Sequence, residues 1–299
     1  MSPRVLVKLL IESFKEWQAD NASRLAAALA YYTVFSLSPL LIMAIAIAGA
    51  LFGEDAAKGE IVGQIQGLVG AEGARVIETA IRNANQPDIS SVASLISVGV
   101  LLFGASGVFA QLQEALNTVW NVKAKPDQGV MNFVRKRVLS FSAVLGIGFL
   151  LLVSLILSAV LSALSKYMGH LIPGADFLWQ IVNQVVSFGI ITSLFALMYK
   201  FLPDVKIKWD DVWIGASITA FLFSIGKFAL GLYLGRGSFG STYGAAGSLI
   251  VILAWVYYSA QILFFGAEFT QVYSRKYGSR IVPDKNAVYT EIPGSNFRR

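Results

Sequence analysis

The amino-acid sequence predicts an all-α fold, a polytopic membrane protein of six transmembrane helices with both termini in the cytoplasm. Three observations lead there. The first is composition: of 299 residues, 56% are hydrophobic and 14% charged, against about 25% charged in an ordinary soluble domain. The second is where the charges fall. Charge-free runs occupy 25–53, 89–113, 138–165, 177–199 and 237–267, and a sixth, 212–235, is broken only by Lys227. Each exceeds the roughly 18 to 20 apolar residues that cross a hydrocarbon core of about 30 Å. The third is an asymmetry of basic residues, which cytoplasmic loops retain. The N-terminal segment holds Arg4, Lys8, Lys15 and Arg24, and the segment 114–137 holds Lys123, Lys125, Arg135, Lys136 and Arg137. Lys200, Lys206 and Lys208 follow, and then the tail with six more from Arg275 on. The alternate segments carry only Lys58, Arg75, Arg82, Lys166 and Arg236.

The elements follow in order. Residues 1–23 read as an amphipathic interfacial helix, with Val5, Leu6, Leu9, Leu10, Phe14 and Trp17 on one face and Arg4, Lys8, Glu12 and Lys15 on the other. The transmembrane domain covers 24–270, with spans at about 25–52, 90–112, 138–164, 179–200, 212–234 and 247–268. The first run is longer than a signal-peptide core, so it reads as a retained helix. The outer segment 54–88 spaces Ile61, Ile65, Leu68, Val69, Val76, Ile77 and Ile81 helically but is interrupted by Gly63, Gly67, Gly70 and Gly73, which suits short helices on the outer rim. Trp120, Trp179, Trp209 and Trp213 fall near span ends, where an indole favours the membrane interface, whereas Trp255 lies deep in the last span. The tail 281–299, with Pro283 and Pro293, is expected to be disordered.

Several function classes are disfavoured. With no cysteine, disulfides, thiolate metal sites and cysteine nucleophiles are excluded. A single histidine, His170, does not make a zinc site, and no cofactor or metal is expected. The net charge of +6 is accounted for by topology, so nucleic acid is not an expected partner. The predicted cytoplasmic loops hold few acids, chiefly Glu114, Asp127, Asp204, Asp210 and Asp211, and no histidine. That is poor equipment for phosphodiester hydrolysis, which needs metal-binding carboxylates or an acid–base pair, and the chain is not expected to be an enzyme.

Four places could carry chemistry. In the first span, Tyr31, Tyr32, Ser36 and Ser38 precede Pro39, whose missing N–H frees a carbonyl one turn back; they either line a substrate path or simply pack. Near the inner boundary, Gln111, Glu114 and Asn117 recur at three-residue spacing, and Arg24 and Glu268 enter at the same level. These predict either a structural ion pair or an inner gate. Lys227 lies 16 residues beyond Asp211, about 24 Å along a helix, in the outer half of its span. An intramembrane cation costs roughly 2.5 to 3.5 kcal/mol to insert and is by default a functional candidate, although its stem could snorkel outward. Finally, the small-residue run 235–248 contains Arg236 and Tyr243. It suits an anion-binding nest or an ordinary turn and matches no phosphate-loop pattern. Trp255 joins Lys227, Arg236, Tyr31, Tyr32, Ser36, Ser38, Pro39 and Tyr243 as a candidate for the substrate path.

The stretches Arg24 to Leu41, Phe103 to Trp120, Leu202-Pro203 through Gly215-Ala216, and Tyr243-Gly244-Ala245 through Trp255, Tyr257 and Gly266-Ala267-Glu268 together resemble the YihY family, also called the virulence factor BrkB family. Its members were once misnamed ribonuclease BN. The resemblance implies a multi-pass protein of the bacterial inner membrane that transports lipids or solutes. The leading expectation is a translocator of a lipid or other anionic amphiphile whose head group passes Lys227. The alternatives are an efflux carrier or channel for sodium or a small organic solute, and a non-transporting scaffold. Membrane lipids are the expected partners, and the small-residue helix faces are compatible with a homo-oligomer.

Overall fold

The structure is a computed structural model, and it describes residues 2–36, 107–125, 176–236 and 245–290. These residues are mostly helical. Helix α1 (Pro3–Ala19) starts on a proline, whose missing N–H is not needed in the first turn. It ends at a turn in which Asn21 adopts a left-handed φ of 52°, and helix α2 follows over 22–36. Helix α3 is described over 107–119. Three long helices follow: α4 (Asp176–Phe201), α5 (Trp209–Arg236) and α6 (Ala245–Lys276). Among the described residues, the stretches Gln184–Phe201, Trp209–Leu230 and Leu249–Lys276 are long and apolar enough to cross a membrane. Most of the first and second expected spans, all of the third and the outer insertion 54–88 lie outside the described residues.

One core unites the helices at a single end. It contains Ala22, Ala26 and Leu29 of α2; Leu112, Ala115, Leu116 and Val119 of α3; Phe195, Ala196 and Tyr199 of α4; Val212, Ala216 and Ala220 of α5; and Leu263, Phe264 and Ala267 of α6. Alanines lower the ridge between axes, so α5 and α6 approach closely. Their contact is reciprocal. A Cβ on Gly215 would meet the Thr270 hydroxyl at 1.7 Å, and one on Gly266 would meet the Thr219 hydroxyl at 1.9 Å. Each threonine donates to the carbonyl of the glycine one turn before it, Thr219 to Gly215 at 2.8 Å and Thr270 to Gly266 at 2.7 Å. Tyr199 joins from α4, donating to the Leu263 carbonyl at 2.7 Å.

Helix α1 divides its apolar side. Leu9, with Val5 and Leu10 beside it, packs on Phe269 and Val272 of α6, while Leu6, Val7, Ile11 and Phe14 stay exposed. Its acids bind the end of the same helix: Arg275 lies 3.0 Å from Glu12 and 2.9 Å from Glu16, and Lys276 also pairs with Glu12.

Two differences from the sequence expectation concern the last span and the tail. Helix α6 runs past the expected span end at about 268 to Lys276, and Glu268 is enclosed by packing rather than released to solvent. The tail, expected to be disordered from 281, forms β3 (Val282–Pro283) and β4 (Ala287–Tyr289). β4 runs antiparallel to β1 (Val122–Ala124) and β3 antiparallel to β2 (Val205–Lys206). Pro283 is tolerated because the two-stranded ladder is all edge. The N–H of Thr290 donates to the Asn121 carbonyl at 2.8 Å, and that of Asp284 to the Asp204 carbonyl at 2.9 Å. Residues 291–299 lie outside the described part. Helix α1, the segment after α3, the α4–α5 connection and the tail therefore meet at the same end of the helices.

Candidate functional site

The sequence brings an unusual number of polar groups to that shared end. Asp204, in the α4–α5 connection, is 7% exposed. Its carboxylate accepts from the Asn117 amide at 2.9 Å, and its N–H donates to the Asn117 side-chain oxygen at 2.8 Å. Gln113, one turn before Asn117, lies 3.4 Å from the second carboxylate oxygen. Asp211, in the first turn of α5, accepts from the Ser274 hydroxyl and from the Ser279 N–H and hydroxyl at 2.8 to 2.9 Å. It thereby ties the start of α5 to the end of α6, and the Gly278 backbone comes so close that an added Cβ would sit 2.4 Å from the carboxylate.

Glu268 behaves differently. It is 0% exposed, and neither carboxyl oxygen has a hydrogen-bond partner. The charged groups that reach it are Asp20, Glu16 and, from its own helix, Arg275. Asp20 approaches closely, although not in ordinary hydrogen-bond geometry at either Glu268 oxygen. Burial raises the Asp20 carboxyl to about 6, its interaction with Glu268 opposes that rise and the charge of Glu16 adds to it. Glu12 stands below the usual carboxylate range: burial pushes it up, but Lys276 and Arg275 outweigh that effect.

Arg24 is not among the groups around Glu268. Ala22, Ala26, Leu29 and Ala30 form the buried face of α2, and Arg24, two residues from both Ala22 and Ala26, projects from the opposite face and is exposed. Glu114 is likewise exposed and Gln111 half-buried on the outer side of α3. The inward pair on that helix is Gln113 and Asn117. The expected three-residue register therefore selected one inward residue, Asn117, and missed Gln113. Among the described residues no ion pair joins Arg24 to Glu114 or Glu268.

The candidates for the substrate path separate as well. Ser36 is buried, with its hydroxyl facing Gly107. Trp255 is buried edge-on against Phe223, ring centres 6.2 Å apart, and so fills the α5–α6 interface. Tyr31 and Tyr32 are exposed, and Tyr31 tilts against exposed Phe35 at 4.8 Å. Arg236 is the last residue of α5. Ser38, Pro39 and Tyr243 lie outside the described residues.

Lys227 occupies a more informative position. Val212, Ala216, Ala220 and Phe223 succeed one another at helical spacing on the face of α5 that packs inward. Lys227 continues that same stripe and yet is exposed, without an ion pair or hydrogen bond among the described residues. The lipid-type face is elsewhere, on Phe221, Ile225 and Phe228. Among the described residues, the inward stripe of α5 is thus uncovered at the level of its cation. Among the described residues no group of three or more His, Cys, Asp or Glu side chains is placed to hold a metal.

Comparison with known proteins agrees with the membrane character. The family profile described as Virulence factor BrkB matches residues 13–290. A UPF0761 membrane protein of Verminephrobacter eiseniae is 28% identical over 263 residues, which is 86% of this chain and 60% of that protein. One from Photobacterium profundum is 28% identical over 263 residues, 84% of this chain and 76% of its own. Another, from Mannheimia succiniciproducens, is 26% identical over 273 residues, 89% and 90% of the two chains. The chain therefore spans about 60% of the length of the first of these relatives and most of the length of the other two. No solved structure matches.

Proposed function

Because the chain belongs to the virulence factor BrkB family and is a multi-pass protein of the bacterial inner membrane, we propose that it is a transporter that moves a lipid or other anionic amphiphile. In this reading six helices span the bilayer and both termini are cytoplasmic. Support comes from the meeting of α1, the segment after α3, the α4–α5 connection and the tail at one end, the arrangement an even number of spans requires. Hydrolysis forms no part of the reading.

The observation that carries it is the exposed Lys227 on the inward stripe of α5. A cation held there without a counter-charge among the described residues attracts a negative head group, and the large apolar side chains on the neighbouring face leave the acyl chains in lipid. The small residues Gly215, Ala216, Gly266 and Ala267 hold the helices together at the other end, so the outer half can open sideways.

The test is head-group translocation of a fluorescent anionic phospholipid in vesicles containing the full chain. Lys227→Ala is expected to slow it at least about tenfold, equivalent to about 1.4 kcal/mol, and Lys227→Arg to retain it. Unchanged translocation by a normally folded Lys227→Ala protein removes the lysine from the path. A wild type that moves no lipid supports a scaffold instead.

A further inference from the structure

We infer that Glu268 and Asp20 together form a proton-binding site at the inner end of α6, set in a row of polar side chains on that helix. This goes beyond the transport reading and does not depend on the cargo.

The row is Tyr257, Gln261, Glu268, Gln271 and Arg275. Steps of three, four and seven residues keep these positions on one helical face, opposite the face on which Gly266 and Thr270 meet α5. Phe264 is the only interruption. Four buried oxygens along this face accept no hydrogen bond: Oε1 of Gln261, both oxygens of Glu268 and Oε1 of Gln271. All four are acceptors that no donor among the described residues reaches. A proton on Glu268 supplies a donor at the most enclosed point.

Among the described residues no cation is free to take its place. Arg275 shares the face but is engaged by Glu12 and Glu16, and Lys276 is engaged by Glu12. The groups contributed by α1 and the following turn, Glu16 and Asp20, are acids. From α2, Arg24 projects to the opposite side and is exposed. A full charge on Glu268 would thus be sealed from water beside two other negative charges, the arrangement that burial penalises most. Two neighbouring carboxyl groups meet that penalty when one of them keeps its proton.

Asp20 supplies the route to water. It sits half-buried in the α1–α2 turn, outside the spans, and so can take a proton from cytoplasmic water and exchange it with Glu268. The left-handed Asn21 fixes that turn. No other reactant is needed: the proton arrives from hydronium and leaves to water.

The experiment is infrared spectroscopy of the full chain in lipid nanodiscs, titrated between about pH 5 and pH 9. The wild type is expected to show the carbonyl stretch of a protonated carboxyl at neutral pH. Glu268→Gln should lose that band and release about one proton fewer per chain on alkalinisation. Asp20→Asn should keep the band but move its midpoint. A wild type with no such band at neutral pH overturns the site, as does a band that Glu268→Gln leaves intact. A band removed by sodium at constant pH also overturns it, because a metal cation then occupies the oxygens. If Glu268→Gln fails to fold, the Asp20→Asn midpoint decides: a shift supports the site and an unshifted midpoint overturns it.

Discussion

From Trp209 to Ala220, α5 buries Val212, Gly215, Ala216, Thr219 and Ala220; from Phe221 to Phe228 the same helix exposes Phe221, Ile225, Lys227 and Phe228. Helix α6 repeats the contrast, with exposed Leu249, Ile250 and Tyr257 at one end and a nearly continuous buried stretch from Ile262 to Thr270 at the other. In α4, Ile181, Val182 and Val185 are exposed and Phe195, Ala196 and Tyr199 buried. The difference follows from what holds helices together in lipid. Apolar area gives little advantage there, so association depends on close approach and hydrogen bonds. The end that shares the core has both: the Gly–Thr pairs, Tyr199 and the carboxylates of Asp204 and Asp211. In the other half of α5, a close contact is Gly226, where an added Cβ would stand 2.4 Å from the Tyr258 ring.

The sharpest way to break this contrast is to fill a glycine in each half. Gly266→Val places a branched side chain where a single Cβ already lies 1.9 Å from the Thr219 hydroxyl and 2.6 Å from that of Tyr199. A loss of about 3 kcal/mol or more is expected, at or beyond the usual overpacking range, seen as a collapse of the melting temperature in detergent. Gly189→Ala, on exposed α4 with nothing within 4 Å of the added Cβ, should change stability little or raise it slightly, because alanine is the better helix former. Equal losses at both positions would remove the distinction between the two halves.

Next in size is Asn117→Leu. It leaves the buried Asp204 N–H without its partner and the carboxylate with only the longer contact to Gln113, so a cost of about 2 to 4 kcal/mol is expected. Thermal unfolding checks it, and Glu114→Leu on the exposed side of the same helix should fall within about 0.5 kcal/mol of wild type.

That pair also marks how far the sequence could be read. The described long helices, the boundary near Trp209 and the amphipathic start were legible because charge-free runs and helical spacing are local properties. Gln113 and Asn117 were not separable from Gln111 and Glu114, since which face of α3 turns inward is decided by Asp204, 87 residues away. The folded tail was missed for the same reason. Val282 and Ala287 have strand partners only in segments far earlier in the chain, and two prolines in a short polar stretch hide them. Glu268 was noticed but placed at a span end, because the first charge after an apolar run usually marks the boundary; the signal that could have found its row is the recurrence of Gln261, Glu268, Gln271 and Arg275 on one face.

A smaller effect is expected at Asp20, and its sign is fixed by the direction of the shift. Its carboxyl rises from 3.8 to about 6 on folding. Between those values the folded chain keeps a proton that the unfolded chain has released, so stability falls as pH rises through the window and the penalty is complete above it. Asp20→Asn removes the penalty. Allowing for its partial contact with water, a gain on the order of 1 kcal/mol is expected above about pH 6 and none below about pH 4. Melting curves at the two extremes decide it, and an equal gain at both would assign the effect to something other than titration. Arg275→Gln should cost no more than about 1 kcal/mol and only at low salt, since its pairs with Glu12 and Glu16 are partly exposed.

The smallest expected effect on stability belongs to Lys227, and its smallness is what gives the comparison its meaning. If the outer half of α5 is an open wall, Lys227→Leu should leave the melting temperature within the range of about 0.5 kcal/mol typical of exposed positions. A marked stabilisation would say instead that the ammonium is a desolvated charge in contact with hydrocarbon, which insertion costs at roughly 2.5 to 3.5 kcal/mol. A marked loss would say that the lysine holds helices together. Only the unchanged melting curve, combined with slowed head-group movement, fits a cation that serves the passage of a ligand and leaves the holding of the helices to the glycines, threonines and carboxylates at the other end.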